Sequence, residues 1–138
     1  MSSLFSVMNK TSMRIPRALL WRVFSLVSKK RTMEVSLVFL DDREMRAVHK
    51  KWQNRNTQAN VLAFPLDASV GEIVINPFQA KREAPDAGMS YTMRIVYLFT
   101  HGLLHLYGCD HKTEEGAKKM KREEQRILNY ELRIMNQR

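Results

Sequence analysis

The segment from Tyr91 to Leu106 constrains the fold of this 138-residue chain more than any other. It is largely apolar, contains no proline, and spaces Ile95, Leu98 and Leu103 as core contacts of a helix. A helix with so little polar surface must be covered by other elements. The sequence therefore predicts a buried central helix around which the rest of the chain packs.

Two histidines lie near the end of this helix, and a third follows it. His101 and His105 are four residues apart, so their imidazoles rise from one helix face and can reach the same metal ion. Gly108 can end the helix in a left-handed conformation, which would turn the chain and bring His111 to that ion. The spacing predicts a three-nitrogen metal site at the C-terminal end of the central helix.

Three protein ligands leave the fourth position of a tetrahedral zinc ion open, which is typical of catalytic sites. Water bound there reaches a pKa of about 7 and becomes a nucleophile at neutral pH. Gly102 stands where the His-Glu-x-x-His pattern has its glutamate base, so a standard zinc peptidase is disfavoured. Imidazole ligands alone do not distinguish zinc from nickel.

Two residues between Gly108 and His111 have alternative roles. Asp110 can accept a histidine N–H and fix the tautomer of that ring, or it can cap the helix that follows. Cys109 is interpreted as a small hydrophobic residue, because a thiolate ligand would close a site that needs an open position. A single cysteine cannot form an intramolecular disulfide, which fits a reducing cytoplasm.

The rest of the sequence predicts short strands and amphipathic helices. Strands are expected near residues 4–7, 34–40, 61–65 and 71–75, and helices are expected to begin near Pro16, Asp41, Pro77 and Thr113. The order β-α-β-α-β-β-α-α-α predicts an α+β fold, a mixed four-stranded sheet packed against about five helices. We expect this fold to form a single domain over residues 1–138. His49 is expected on the surface, without a role.

The charge balance favours an anionic partner. The 23 Lys and Arg residues outnumber the 14 Asp and Glu residues, which gives a net charge of +9. Nucleic acid is the simplest partner of that kind. The residues before Glu34 resemble a transit peptide in being basic and free of acids, but their strand and helix pattern favours folded structure. No apolar run approaches the length of about 18 residues that a membrane span needs.

The run HGLLHLYGCDH, from His101 to His111, resembles the His-Gly-x-Leu-His-Leu-x-Gly-x-Asp-His signature of the YbeY family of metal-dependent endoribonucleases. The segments 60–65 and 71–75 are similar to two further segments of that family. The resemblance implies the same architecture and one Zn²⁺ per chain, held by His101, His105 and His111. It also implies a single-strand endoribonuclease of the cytoplasm that acts on ribosomal RNA and ribosomal subunits, in ribosomal RNA maturation and ribosome quality control.

The sequence departs from the family pattern just before residues 60–65. Trp52 and Gln53 stand where the family has Tyr-Arg, so an arginine that serves catalysis or phosphate binding is missing from its expected place. Arg55 is the candidate replacement, provided that the preceding helix ends before it, since residues two apart do not share a helix face. Lys50 and Lys51 are further candidates for neutralising the RNA backbone.

Two other functions remain open from the sequence. A tri-histidine zinc site is chemically general, so a different zinc hydrolase that acts on a peptide or small ester is one alternative. The other is a non-enzymatic, ribosome-associated assembly factor in which zinc only stabilises the fold. The missing arginine is the reason to retain this second alternative. The sequence does not indicate the oligomeric state.

Overall fold

The structure is a computed structural model that describes residues 4–29, 31–53, 60–108 and 113–136, with backbone alone for residues 52, 53 and 131–136. In chain order its elements are β1 (Phe5–Asn9), α1 (Arg17–Val27), β2 (Glu34–Phe39), α2 (Asp42–Gln53), β3 (Val61–Asp67), β4 (Val70–Ile75), α3 (Pro77–Glu83), α4 (Tyr91–Leu106) and α5 (Glu114–Asn136). The predicted α+β fold and the predicted order of elements are confirmed.

The four strands form one mixed sheet in the order β1-β2-β4-β3. β1 pairs in parallel with β2, and β2 pairs in parallel with β4. β3 and β4 form the expected antiparallel hairpin, whose turn is closed by Asp67 accepting a hydrogen bond from the Ser69 backbone N–H at 2.6 Å. This topology leaves β3 as one edge strand of the sheet.

The basic N-terminal stretch is part of this fold. Phe5 at the start of β1 is buried, and it stacks on Phe24 of α1 with 4.6 Å between the ring centroids. Leu20 and Val23 of α1 have no solvent exposure. The chain therefore forms folded structure in this region, as the hydrophobic pattern indicated.

The two faces of the sheet bury different helices. Val35, Leu37 and Phe39 of β2 join the large core that contains α1 and α4. The alternate residues Val38 and Leu40 belong to a smaller cluster built around α2. This alternation follows the two-residue period of a strand, and it sandwiches the sheet between α2 and the other helices.

α4 is the central helix that the sequence predicted. Ten of its sixteen residues are buried, and they lie on every side of the helix except the one that carries His101 and His105. Within the described part of the chain, no helix combines the length and the apolar composition that a membrane span requires.

Short polar side chains begin the helices. Asp41 accepts a hydrogen bond from the Glu44 backbone N–H at 2.9 Å, and Thr113 accepts one from the Gly116 N–H at 2.9 Å. Both caps are where the sequence predicted them. Asn76 and Ser90 cap α3 and α4 in the same way.

The expectation for His49 was wrong. Its side chain is buried, with 5% of the residue exposed. His49 lies one helical turn after the buried Met45, so it shares the α2 face that packs on the sheet. The position of His49 on the helix therefore determines its burial more than the polarity of its ring does.

Glu83 connects three elements near the edge of the sheet. Its carboxylate accepts hydrogen bonds from Asn60, just before β3, and from Arg94 of α4, each at 2.9 Å. Gln79 of α3 adds a third hydrogen bond at 3.2 Å. These bonds hold the start of β3 against α4.

Gly102 allows α4 to approach β4 closely. A Cβ atom at this position would lie 3.0 Å from Cγ2 of Ile73, which is tighter than an ordinary van der Waals contact. The glutamate that a zinc peptidase carries after its first histidine therefore has no room on this helix. The departure from the peptidase pattern has a packing cause.

Replacing Glu83 by glutamine tests the carboxylate network. Burial alone would raise the pKa of Glu83, but hydrogen bonds from Asn60, Arg94 and Gln79 bring that pKa below its ordinary value. A lowered pKa means that the ionised form stabilises the fold at neutral pH, and that this stabilisation disappears as the pH falls through the lowered pKa.

We expect Glu83→Gln to reduce the free energy of unfolding by about 1–3 kcal/mol at pH 7, and by less near pH 3. Urea unfolding at both pH values measures the difference. The exposed Glu34→Gln serves as the control and should change the free energy of unfolding little at either pH. Equal losses for Glu83→Gln at pH 7 and pH 3 would contradict the account.

Restoring the peptidase pattern with Gly102→Glu should destabilise the fold by about 3 kcal/mol or more, because the new side chain meets Ile73 and buries a carboxylate. A double-mutant cycle with Ile73→Ala, followed by urea unfolding, should show a favourable coupling of about 0.5–3 kcal/mol. A Gly102→Glu variant as stable as the wild type would show that α4 and β4 are less tightly packed than described.

Candidate metal centre

His101 and His105 share one face of α4 near its C-terminal end. Their ring centroids are 4.7 Å apart, and the ring planes meet at 61°. Both rings are partly buried at a cavity of about 180 Å³. The rest of that cavity is lined by Val61, Leu62, Ala63 and Gly102. The edge strand β3 thus forms one wall of the cavity, and the imidazole pair forms another.

The end of α4 is anchored directly after His105. Gly108 has a φ of +93°, the left-handed conformation that was predicted for the turn. Tyr107 shares a hydrogen bond between its hydroxyl and that of Ser28, at the end of α1. The guanidinium of Arg31 lies over the Tyr107 ring, 4.6 Å from its centroid. These contacts fix the point at which the chain leaves the helix.

Glu124 of α5 is a site residue that sequence reasoning missed. Its Oε2 atom lies 2.5 Å from Nδ1 of His101, and only 6% of the residue is exposed. The spacing contained a signal for it, because Glu124 falls one turn after Met120 and one turn before Leu128, on the buried face of α5. A carboxylate on an apolar helix face needs a polar partner.

The structure brings together two of the three predicted metal ligands, His101 and His105. The other predicted site residues, namely His111, Asp110, Cys109 and Arg55, lie outside the described residues. Over the ranges that the structure describes, no group of three His, Cys, Asp or Glu side chains is placed to hold a metal ion. The described part of α2 runs to Gln53, so the condition set for Arg55, namely that the helix ends before it, stays a prediction.

The side chains present at the cavity fit a transition metal. Two imidazoles one helical turn apart supply nitrogen donors of the kind that zinc, nickel and copper accept. A carboxylate bound to the second nitrogen of one ring is a frequent companion of metal-binding histidines. The arrangement can therefore bind an ion at the mouth of a small cavity.

Comparison with known proteins shows the family of this chain. The family described as "Endoribonuclease YbeY" matches residues 5–131. The chain is 39% identical over 108 residues to the endoribonuclease YbeY of Agrobacterium fabrum, which covers 72% of this chain and 64% of that protein. Identity to the endoribonuclease YbeY of Nautilia profundicola is 37% over 106 residues, 74% of each chain.

A second rhizobial relative and a solved structure agree with this match. The endoribonuclease YbeY of Allorhizobium ampelinum is 38% identical over 104 residues, and the match spans 62% of that protein. A Thermotoga maritima protein solved in solution superimposes with a TM-score of 0.64 at 19% identity, covering 90% of this chain and 86% of that one. At that identity, the likeness supports the fold alone. By the sequence matches, the chain belongs to the YbeY family.

Proposed function

We propose that this protein is a zinc-dependent endoribonuclease that cleaves single-stranded ribosomal RNA during ribosome maturation and quality control. The observation that carries the proposal is the pair of imidazoles, His101 and His105, facing one cavity on a helix that is largely buried. The names of the YbeY relatives support the reaction class. Ribosomal subunits are the proposed partners, and the cytoplasm is the proposed location.

In this proposal His101 and His105 hold the ion, with His111 as the third ligand. Held by these histidines, zinc would supply a Lewis acid for the scissile phosphate and would lower the pKa of a bound water. The residues of the chain hold the RNA beside it. Val61 and Ala63 of β3 give the cavity a wall of small apolar side chains beside the histidines, and in this proposal the RNA strand passes along that wall.

The exposed side of α2 supplies positive charge for the RNA backbone. Arg43, Arg46 and Lys50 are exposed at spacings of three and four residues, so they form one stripe along the helix. Lys51 is exposed beside them. The last turn of α2 leads, through residues 54–59, into the strand that lines the cavity. Phosphate contacts along this stripe would guide a single strand toward the histidines.

Metal content and cleavage measured in the same samples test the function. We expect about one zinc ion per wild-type chain, as in other mononuclear sites. His105→Ala should lose the ion and reduce cleavage of a single-stranded ribosomal RNA fragment to background, because a ligand is gone. His49→Gln is the control, because His49 is the described histidine that lies outside the cavity. The folded His49→Gln protein should still bind zinc and cleave the RNA fragment.

Three results would contradict the proposal. A wild-type protein without bound metal that still cleaves RNA would remove the metal centre from the reaction. Metal bound without cleavage would favour the assembly factor, and Gln53→Arg would then test whether the missing arginine is responsible. A peptide or small ester hydrolysed in place of RNA would favour the other zinc hydrolase.

The basic stripe predicts a salt-dependent affinity for RNA. For a single strand, the logarithm of the binding constant should fall with the logarithm of salt concentration by about 0.7 for each phosphate contact. Lys50→Ala should therefore lower the magnitude of that slope by about 0.7 and weaken binding to every sequence alike. The measurement is fluorescence anisotropy with a labelled oligoribonucleotide over a range of salt concentrations.

The matched control is Lys29→Ala. Lys29 is also exposed, but it follows α1, which packs on the side of the sheet opposite to α2. Its removal should leave the slope close to that of the wild type. Equal effects of the Lys29 and Lys50 variants would mean that RNA is attracted by net charge alone and not by the α2 stripe.

A further inference from the structure

The geometry points to a positioning role for Glu124, a residue to which the function proposed above assigns no task. Its carboxylate holds the His101 ring in one tautomer and one orientation, so that the ring presents Nε2 and not Nδ1 to the metal ion. That the ion bound by His101 is zinc rests on the proposed function. The tautomer of the His101 ring, by contrast, is a property of the metal-free protein.

For an ionised Glu124, the contact between the two side chains has one chemical interpretation. An ionised carboxylate only accepts hydrogen bonds, so Nδ1 of His101 must carry the proton that lies between them. A neutral imidazole protonated at Nδ1 has its lone pair on Nε2. Since Nδ1 is already engaged, His101 can bind a metal ion only through Nε2.

Burial makes this hydrogen bond costly to leave unmade. The side chains of His101 and Glu124 are only 20% and 8% exposed. A buried carboxylate without a partner costs far more free energy than a solvated one. Among the described residues, no fully buried side-chain nitrogen or oxygen atom is without a hydrogen-bond partner. Water therefore competes weakly for either group.

α5 holds the carboxylate rigidly in this place. Met120 has no exposure, Ile127 is 1% exposed and Leu128 is 6% exposed, so the face that carries Glu124 is packed against the core. Thr113 caps the start of the helix. A polar group on a packed helix is placed more accurately than one on a loop. The C-terminal helix thereby contributes to a site whose histidine pair lies on α4.

Glu124 could also serve only to attach α5 to α4, and the experiment must separate these roles. A purely structural hydrogen bond would affect the stability of the protein but not the tautomer of a correctly folded His101. Glu124→Met tests this, because a methionine fills the space on an apolar helix face and removes the acceptor. Glu124→Gln keeps an acceptor oxygen and is the conservative rescue.

The first measurement uses the ¹⁵N chemical shifts of the His101 imidazole in the metal-free protein at a pH well above about 6.5, the ordinary histidine pKa. The wild type and Glu124→Gln should show the Nδ1–H tautomer, and Glu124→Met should lose it. Glu123→Met is the matched control, because Glu123 pairs with Arg126 on the more exposed side of α5 and should leave His101 unchanged. A wild-type ring in the Nε2–H form would overturn the inference without any variant.

The second measurement is zinc affinity, determined by competition with a chromophoric chelator. Glu124→Met should bind zinc about 10–100-fold more weakly than the wild type, and Glu124→Gln should lose less. A folded Glu124→Met variant with wild-type affinity and tautomer would overturn the inference. If the wild type binds no zinc, the proposed function fails, while the tautomer measurement still decides the role of Glu124.

Discussion

The close approach of α4 to the sheet is the constraint on which the rest of this structure depends. Gly102 on the helix faces Ile73 of β4. Two residues before Ile73 in β4, a Cβ atom at Gly71 would lie only 2.7 Å from Cδ1 of Leu106. A glycine on each element thus lets helix and strand pack at a distance that larger residues would not allow. Because the inner sides of α4 are committed to this packing, the histidine pair is left beside the edge strand β3.

Features that depend on local sequence were predictable. Helix periodicity, capping side chains and turns involve residues a few positions apart, and α4 has the bounds that its apolar pattern indicated. The pairing of His101 with His105 is local in the same sense, since it follows from one helical turn. These features do not require knowledge of how the helices pack together.

Features that depend on packing between distant elements were not predictable in the same way. Glu124 is 23 positions from His101, and their contact exists only because α5 lies against α4. From the sequence, Asp110 was the candidate for fixing a histidine tautomer, because it is next to His111 in the chain. His49 was assigned to the surface because its polarity was weighed above the helical phase that it shares with Met45.

In the proposed function, the two sides of the sheet have different tasks. The side that packs on α4 and α5 supplies rigidly held imidazoles and a carboxylate, while α2 on the opposite side presents exposed basic residues. The strand β3 connects the two, since it follows α2 in the chain and lines the cavity. In the proposed function, this division would let a small domain combine attraction of a polyanion with a site of defined geometry.

The most direct test of the central claim is the position of the metal in crystals of the zinc-loaded protein, located by anomalous diffraction. We expect an ion at the cavity beside β3, with Nε2 of His101 and one ring nitrogen of His105 each at about 2.0–2.1 Å. Nδ1 of His101 should remain bonded to Glu124. An ion bound through Nδ1 of His101, or one bound away from α4, would contradict the account.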